Sequence, residues 1–201
     1  MNIEEETKYF KNHVAKLTTY DNIKILDFQE PGSSRYRIRF LFEEDYCKLH
    51  ITGDLGDLIA SNYSNMTFEG FSDFIDDIGY FVPKICCCSR DIDVYYMDIA
   101  KKQIHEHLDE DIIERIVDNY DYDPDSEEGR NEAINAFYDD VFEDFSSKHG
   151  IGVEGYKVLS EYIDDAYEFA SCIGHETSGI ISLYMLAFKL AIKQLKQRGE
   201  I

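Results

Sequence analysis

Between residues 22 and 53 three runs, "NIKILDFQ", "RYRIRFLF" and "YCKLHITG", alternate apolar and polar positions with a period of two. That period marks half-buried strands. "EPGSS", with Pro31 and Gly32, supplies turn chemistry between the first two runs, and the short acidic "EED" separates the second from the third. The pattern predicts an antiparallel meander with its core on one face. Ahead of it, Ile3, Phe10, Val14 and Leu17 fall at spacings of seven, four and three, which predicts an amphipathic helix over 3–19. Behind it, Gly53 and Gly56 flank Asp54 as in a tight turn. A phosphate-cradling loop is disfavoured there, because the lysine and the full glycine pattern are missing.

The segment "TFEGFSDFIDDIG", 67–79, places Phe68, Phe71, Phe74, Ile75 and Ile78 on one helical face with Gly79 as a stop. From residue 98 the period changes to that of helices, predicted over 98–119, 128–147, 153–171 and 178–197. The last has a broad apolar face, with Ile180, Ile181, Leu183, Tyr184, Leu186, Ala187, Leu190, Ala191 and Leu195, and belongs at the centre of a core. Lys189, Lys193, Lys196 and Arg198 gather toward its end, as the helix dipole favours. The expected fold class is α+β, a small antiparallel sheet of three or more strands packed with helices, followed by a helical C-terminal half. A single domain over 1–201 is expected, with 1–97 mainly sheet plus helices, 98–201 mainly helical, and 120–128 as the weakest joint.

Charge narrows the function classes. The 201 residues include 41 acidic and 20 basic ones, a formal charge of −21. Affinity for duplex nucleic acid comes from basic patches that release counterions from phosphates, so this chain is expected to bind none directly. A basic protein is the natural partner, although many acidic proteins carry such charge only as a solvated face. The first residues lack a basic, then apolar leader pattern, and no run is long enough to span a membrane. Five cysteines without a small-scaffold framework point to a reducing cytoplasm.

Two constellations suggest metal chemistry. In "DYDPDSEEGRNE", Asp121, Asp123 and Asp125 alternate and Glu132 sits where a calcium loop places its last ligand. Ser126 occupies the position that needs glycine, and Pro124 stiffens the loop, so an exposed acidic loop between helices is favoured. The run "YFVPKICCCSRD" carries Cys86, Cys87 and Cys88. In an extended strand Cys86 and Cys88 point to one side and Cys87 to the other. Cys172 and His175 form a C-x-x-H pair at a turn containing Gly174. A tetrahedral structural zinc site built from Cys86, Cys88, Cys172 and His175 is the metal hypothesis, with Cys47, His50 and Cys87 in reserve. The competing reading is that free cysteines fill a β core. His105 and His107 diverge around a helix and are expected to be exposed. No G-x-S-x-G, H-E-x-x-H or Walker loop is present, so no enzyme is expected.

The strand followed by "ITGDLG" at 51–56, the "GYFVPKI" segment at 79–85 and the closing "LYMLAFKLAIKQLK" resemble a group of small acidic proteins encoded by phages and prophages of Gram-positive bacteria. The similar parts cover roughly half of the chain. Within that group the chain resembles anti-CRISPR proteins of the type II-A class, among them a zinc-containing inhibitor of the RNA-guided effector nuclease. The resemblance implies a non-enzymatic inhibitor that acts in the cytoplasm of the infected bacterial host, binds a basic surface of the type II effector and blocks loading of target DNA. Such an effector holds a heteroduplex in a positively charged channel, which would attract a chain of this charge. Asp118, Asp121, Asp123, Asp125, Glu127 and Glu128 are the expected contact residues. The alternatives are an acidic immunity or antitoxin-type inhibitor of a basic nuclease, and a zinc metalloenzyme with an open metal position.

Overall fold

The computed structural model describes residues 6–201. The chain divides into two units, Met1–Ile92 together with Ser178–Ile201, and Asp93–Thr177. The second is thus an insertion into the first. The predicted weak joint at 120–128 lies inside it.

In unit 1 the alternating runs form an antiparallel meander of six strands in sequential order: β1 (Val14–Tyr20), β2 (Ile23–Gln29), β3 (Ile38–Glu43), β4 (Lys48–Gly53), β5 (Leu58–Ser61) and β6 (Ile85–Cys88). The period of two decides which face is buried. Leu26, Phe28, Ile38, Phe40, Phe42, Leu49, Ile51, Leu58 and Ala60 all turn inward. Asp27, Arg39 and Thr52 form one cross-strand row on the other face. There Arg39 donates to both oxygens of Asp27, at 2.7 and 3.1 Å. Gly53 ends β4 at φ 149°, where a Cβ would lie 1.9 Å from the carbonyl oxygen of Arg37, so only glycine fits the turn.

The inner face is covered by the last helix. Among the described residues, the other two α-helices of this unit are single turns, α1 (Phe68–Phe71) and α2 (Ile78–Phe81). Four helices of unit 2 follow them, so the closing helix Gly179–Arg198 is α7. It lies against β1, β2 and β3, and Phe188 packs edge-on against Phe40, Phe42, Phe68 and Phe71 at centroid distances of 4.9 to 5.9 Å. The central place expected for this helix is what the structure has. Its far end clasps the outer strand: Ala15 N–H donates to Gln194 Oε1 at 3.0 Å, Gln194 donates to the carbonyl of His13 at 2.8 Å, and Arg198 donates to the carbonyl of Ala15 at 2.6 Å. These bonds occupy edge groups that would otherwise pair with another strand.

Two local expectations fail. Among the described residues, the helix predicted over 3–19 does not continue past residue 10: helical backbone at 6–7 runs into a 3-10 turn, Lys8–Phe10, and β1 follows; Ile3 lies outside the described residues. "VAKLTTY" is rich in β-branched residues and gains a seven-residue ladder with β2, and this long-range pairing outweighs a spacing match in which, among the described residues, Phe10 is buried and Val14 is exposed. The single helix predicted over 67–79 is α1 and α2 instead. Thr67 caps the first by accepting from Gly70 N–H, Asp77 caps the second by accepting from Tyr80 N–H at 2.8 Å, and Gly79 lies inside it. Phe68, Phe71, Phe74 and Ile75 are nevertheless all buried in the unit 1 core.

Unit 2 begins and ends with a two-stranded antiparallel ribbon, β7 (Asp93–Tyr95) with β8 (His175–Thr177). Between them lie α3 (Met97–His105), α4 (Glu110–Asn119), α5 (Glu127–Val141) and α6 (Val153–Tyr162). The helix predicted over 98–119 is interrupted at Asp109, whose carboxylate accepts from Ile112 N–H at 2.8 Å and caps α4. The one predicted over 153–171 stops at Tyr162, and Asp165 in the left-handed region at φ 58° turns the chain into a 3-10 turn, Ala166–Glu168. Ala100, Ile104, Ile116, Val117, Ala133, Phe137, Val141 and Leu159 make a core separate from that of unit 1. The fold class is α+β, with helices dominating the C-terminal half. No helix among the described residues is long and apolar enough to cross a membrane.

Candidate functional site

Charge divides unevenly between the units. Residues 93–177 hold 24 of the 41 acidic residues and 6 of the 20 basic ones, a net charge of −18, leaving −3 for unit 1. All 24 of those carboxylates are exposed. Burial explains why: the helices of unit 2 turn their apolar stripes into a core of aliphatic and aromatic side chains, so every acid falls on the outer face.

The acidic loop between α4 and α5 illustrates how the backbone is held while the charges stay free. Asp121 takes the left-handed conformation at φ 56°. Asp123 Oδ1 accepts from Asp125 N–H at 3.1 Å, and Ser126 caps α5 by accepting from Gly129 N–H at 3.3 Å. Glu127 and Glu128 occupy the first turn of α5, where the helix dipole favours negative charge. Asp118, Asp121, Asp123, Asp125, Glu127 and Glu128 are all exposed. Glu132, which stands where a calcium loop has its last ligand, lies on α5, and Asp121, Asp123 and Asp125 ahead of it lie in the exposed acidic loop that the sequence favours. Among the described residues no group of three or more histidine, cysteine or acidic side chains is gathered as a metal would need.

Tyr120, at the end of α4, donates to Asp140 Oδ2 at 2.6 Å. Burial first, and then this carboxylate, push its phenol well above the ordinary tyrosine range. Asp144 has the opposite shift. Its carboxylate accepts from the backbone N–H of Glu154 at 3.0 Å and of Gly155 at 3.2 Å, which holds it below the usual carboxylate range and caps α6 from outside.

The cysteines occupy four different settings. In β6, Cys88 lies opposite Leu58 and Cys87 opposite Ile59, but Ile85 lies opposite Ala60. A bulge therefore leaves Cys86 as the extra residue and breaks the alternation expected of the strand. Cys86 and Cys87 are exposed, whereas Cys88 is half-buried against the unit 1 core. Cys86 and Cys88 thus do not present two thiols to one side. Cys47, half-buried, directs its thiol to the carbonyl of Glu44, and His50 sits 3.3 Å from Glu43. In unit 2, Cys172 is exposed, with Ser171 Oγ 3.8 Å from its sulfur. His175 Nε2 is 2.8 Å from Asp93 Oδ1 across the ribbon. The four named donors are divided two and two between the units, and the conformation of β6 does not pre-form half of a tetrahedron. His105 and His107 are exposed, as expected; His107 stacks on Phe169 at 4.3 Å.

Spacing alone did not single out an exposed apolar set in unit 2. Val153, Tyr156 and Tyr167, which the sequence placed along one continuous helix, belong to two segments separated by the break after Tyr162 and come together at the surface. On unit 1, the hollow over the open sheet face, about 470 Å³, is lined by Asp27, Gln29, Arg37, Arg39, Thr52, Gly53 and Asp54. It offers neither a thiol nor an imidazole, and Arg39 is already paired with Asp27.

Comparison with protein-family models, with curated proteins and with solved structures gave no match.

Proposed function

We propose that this chain is a non-catalytic binding protein whose acidic inserted unit occupies a basic surface of a partner protein. The observation that carries this reading is the concentration of a −18 net charge, all of its carboxylates exposed, on 85 residues with their own core. Such a surface repels phosphate backbones and steers toward lysine- and arginine-lined channels, with association rates that fall as salt rises. The resemblance of "ITGDLG", "GYFVPKI" and the last helix to type II-A anti-CRISPR proteins supplies a specific partner, the RNA-guided type II effector nuclease. In that reading unit 2 takes the place of nucleic acid in the basic channel and keeps target DNA out.

An acidic inhibitor of some other basic nuclease would use the same chemistry. Retention experiments separate the two: immobilised chain is challenged with guide-loaded effector, with other basic nucleases and with duplex DNA. Selective, salt-sensitive retention of the effector supports the reading, and retention of DNA in preference to any protein sinks it. A structural zinc held by Cys86, Cys88, Cys172 and His175 is a separable proposal, because β6 would have to lose its bulge to bring both thiols to one side.

A further inference from the structure

Unit 2 carries an apolar groove of about 340 Å³ lined by Ile151, Gly152, Val153, Tyr156, Tyr167, Ala170 and Ser171. Local structure explains why these side chains face water. Val153 is the first residue of α6, a helix start pinned by the carboxylate of Asp144. Tyr167 follows Ala166, which is buried in the unit 2 core, in the 3-10 turn that the left-handed Asp165 introduces. Val153 is 68% exposed and Tyr167 64%. Isolated exposed apolar residues are ordinary, but here they converge on one hollow.

The surroundings of this groove fix the chemistry of its occupant. Two exposed acids directly follow lining residues, Glu154 after Val153 and Glu168 after Tyr167, on a unit whose net charge is −18. Lys157 donates to both oxygens of Glu154, at 2.7 and 2.9 Å, so these two charges match each other and the unit's remaining charge is strongly negative. A wholly apolar ligand would strip water from carboxylates and leave them unpaired. An anionic membrane or a phosphate backbone would be repelled.

The geometry points to this groove as the anchor for a single apolar side chain presented by a lysine- and arginine-rich segment of a partner protein. This rests on the reading that unit 2 binds a basic protein, and adds where the contact is specific. Interface energy concentrates where a few buried anchors, tyrosine prominent among them, are shielded from water, while the charge of the wider surface sets the rate of approach.

The test uses the full chain and two labelled peptides of lysine and arginine, one with a central leucine and one with glycine in its place. Fluorescence anisotropy should show the leucine peptide binding about tenfold more tightly, with the margin persisting as salt weakens both. The double substitution Val153→Ser and Tyr167→Ser should shrink that margin below about twofold while leaving the glycine peptide's affinity unchanged. In the wild-type chain, amide shifts that differ between the two peptides should map to 151–156 and 167–171. Equal affinities, or differential shifts elsewhere, overturn the anchor and leave the acidic-surface reading intact. Failure of both peptides to bind at low salt overturns both.

Discussion

Gly155 offers a test in which two physical effects predict opposite signs. It lies in the first turn of α6, and replacing a helical glycine with alanine ordinarily stabilises by about 0.5–1 kcal/mol through the backbone entropy of the unfolded chain. Its setting in unit 2 forbids that gain. A Cβ there would lie 1.9 Å from the carbonyl oxygen of Val141 and 2.9 Å from Cγ2 of Ile151. Ordinary contact needs more than 3 Å, so α6 and the end of α5 must separate by over an ångström, and the obstructing atom is backbone that cannot rotate away. The same shift would pull Gly155 N–H from Asp144. Overpacking of this kind costs roughly 1–3 kcal/mol, so Gly155→Ala should be net destabilising by about 1–2 kcal/mol after the entropy gain is subtracted. Gly179→Ala is the control. It also opens a helix, α7, but has open space around its Cβ position, so it should be neutral or slightly stabilising. Urea unfolding of the full chain followed by circular dichroism, with hydrogen exchange to locate the loss in α5 and α6, reads both variants. A Gly155→Ala chain at least as stable as the wild type would refute the packing argument.

Other outcomes follow from the same geometry. Changing Asp118, Asp121, Asp123 and Asp125 to Asn and Glu127 and Glu128 to Gln removes a third of unit 2's net charge without touching its core; association with a basic partner should slow roughly tenfold at low salt and converge with wild type at high salt in stopped-flow measurements. Asp144→Ala should cost about 1 kcal/mol near neutral pH by uncapping α6. Because the folded carboxyl sits below its unfolded value, that contribution is present above the unfolded pKa and disappears as pH falls through the folded one, so the two stability curves should merge in strong acid. If the zinc proposal holds, elemental analysis of chain purified without added metal gives about one zinc, lost when Cys86 and Cys88 are both replaced by serine; a metal-free wild type removes zinc from the account.

How far the sequence could be read depended on whether the deciding interaction was local. Alternation in "RYRIRFLF" and the apolar face of α7 reported burial directly, so β2 to β4 and the central helix were legible. Strand β1 was not, because its conformation is set by pairing with β2 and by Gln194 and Arg198 some 180 residues away. The bulge that turns Cys86 away from Cys88 depends on register against Ile59 and Ala60, which no spacing rule reports. The acidic contact residues were legible as charge, but their concentration on an inserted unit needed the division at Ile92 and Ser178. The apolar groove needed the break after Tyr162, because a continuous helix would not bring Tyr167 beside Val153.

The acidic unit is proposed to engage a basic protein in place of nucleic acid. The most direct test is a calorimetric titration of the chain into guide-loaded type II effector, followed by target-DNA binding to the product. Saturation at a fixed stoichiometry is expected, with affinity that falls with salt and loss of target-DNA binding that the six-residue neutralised variant largely restores. Absence of a complex at low salt, or a complex that still loads target DNA, would contradict it.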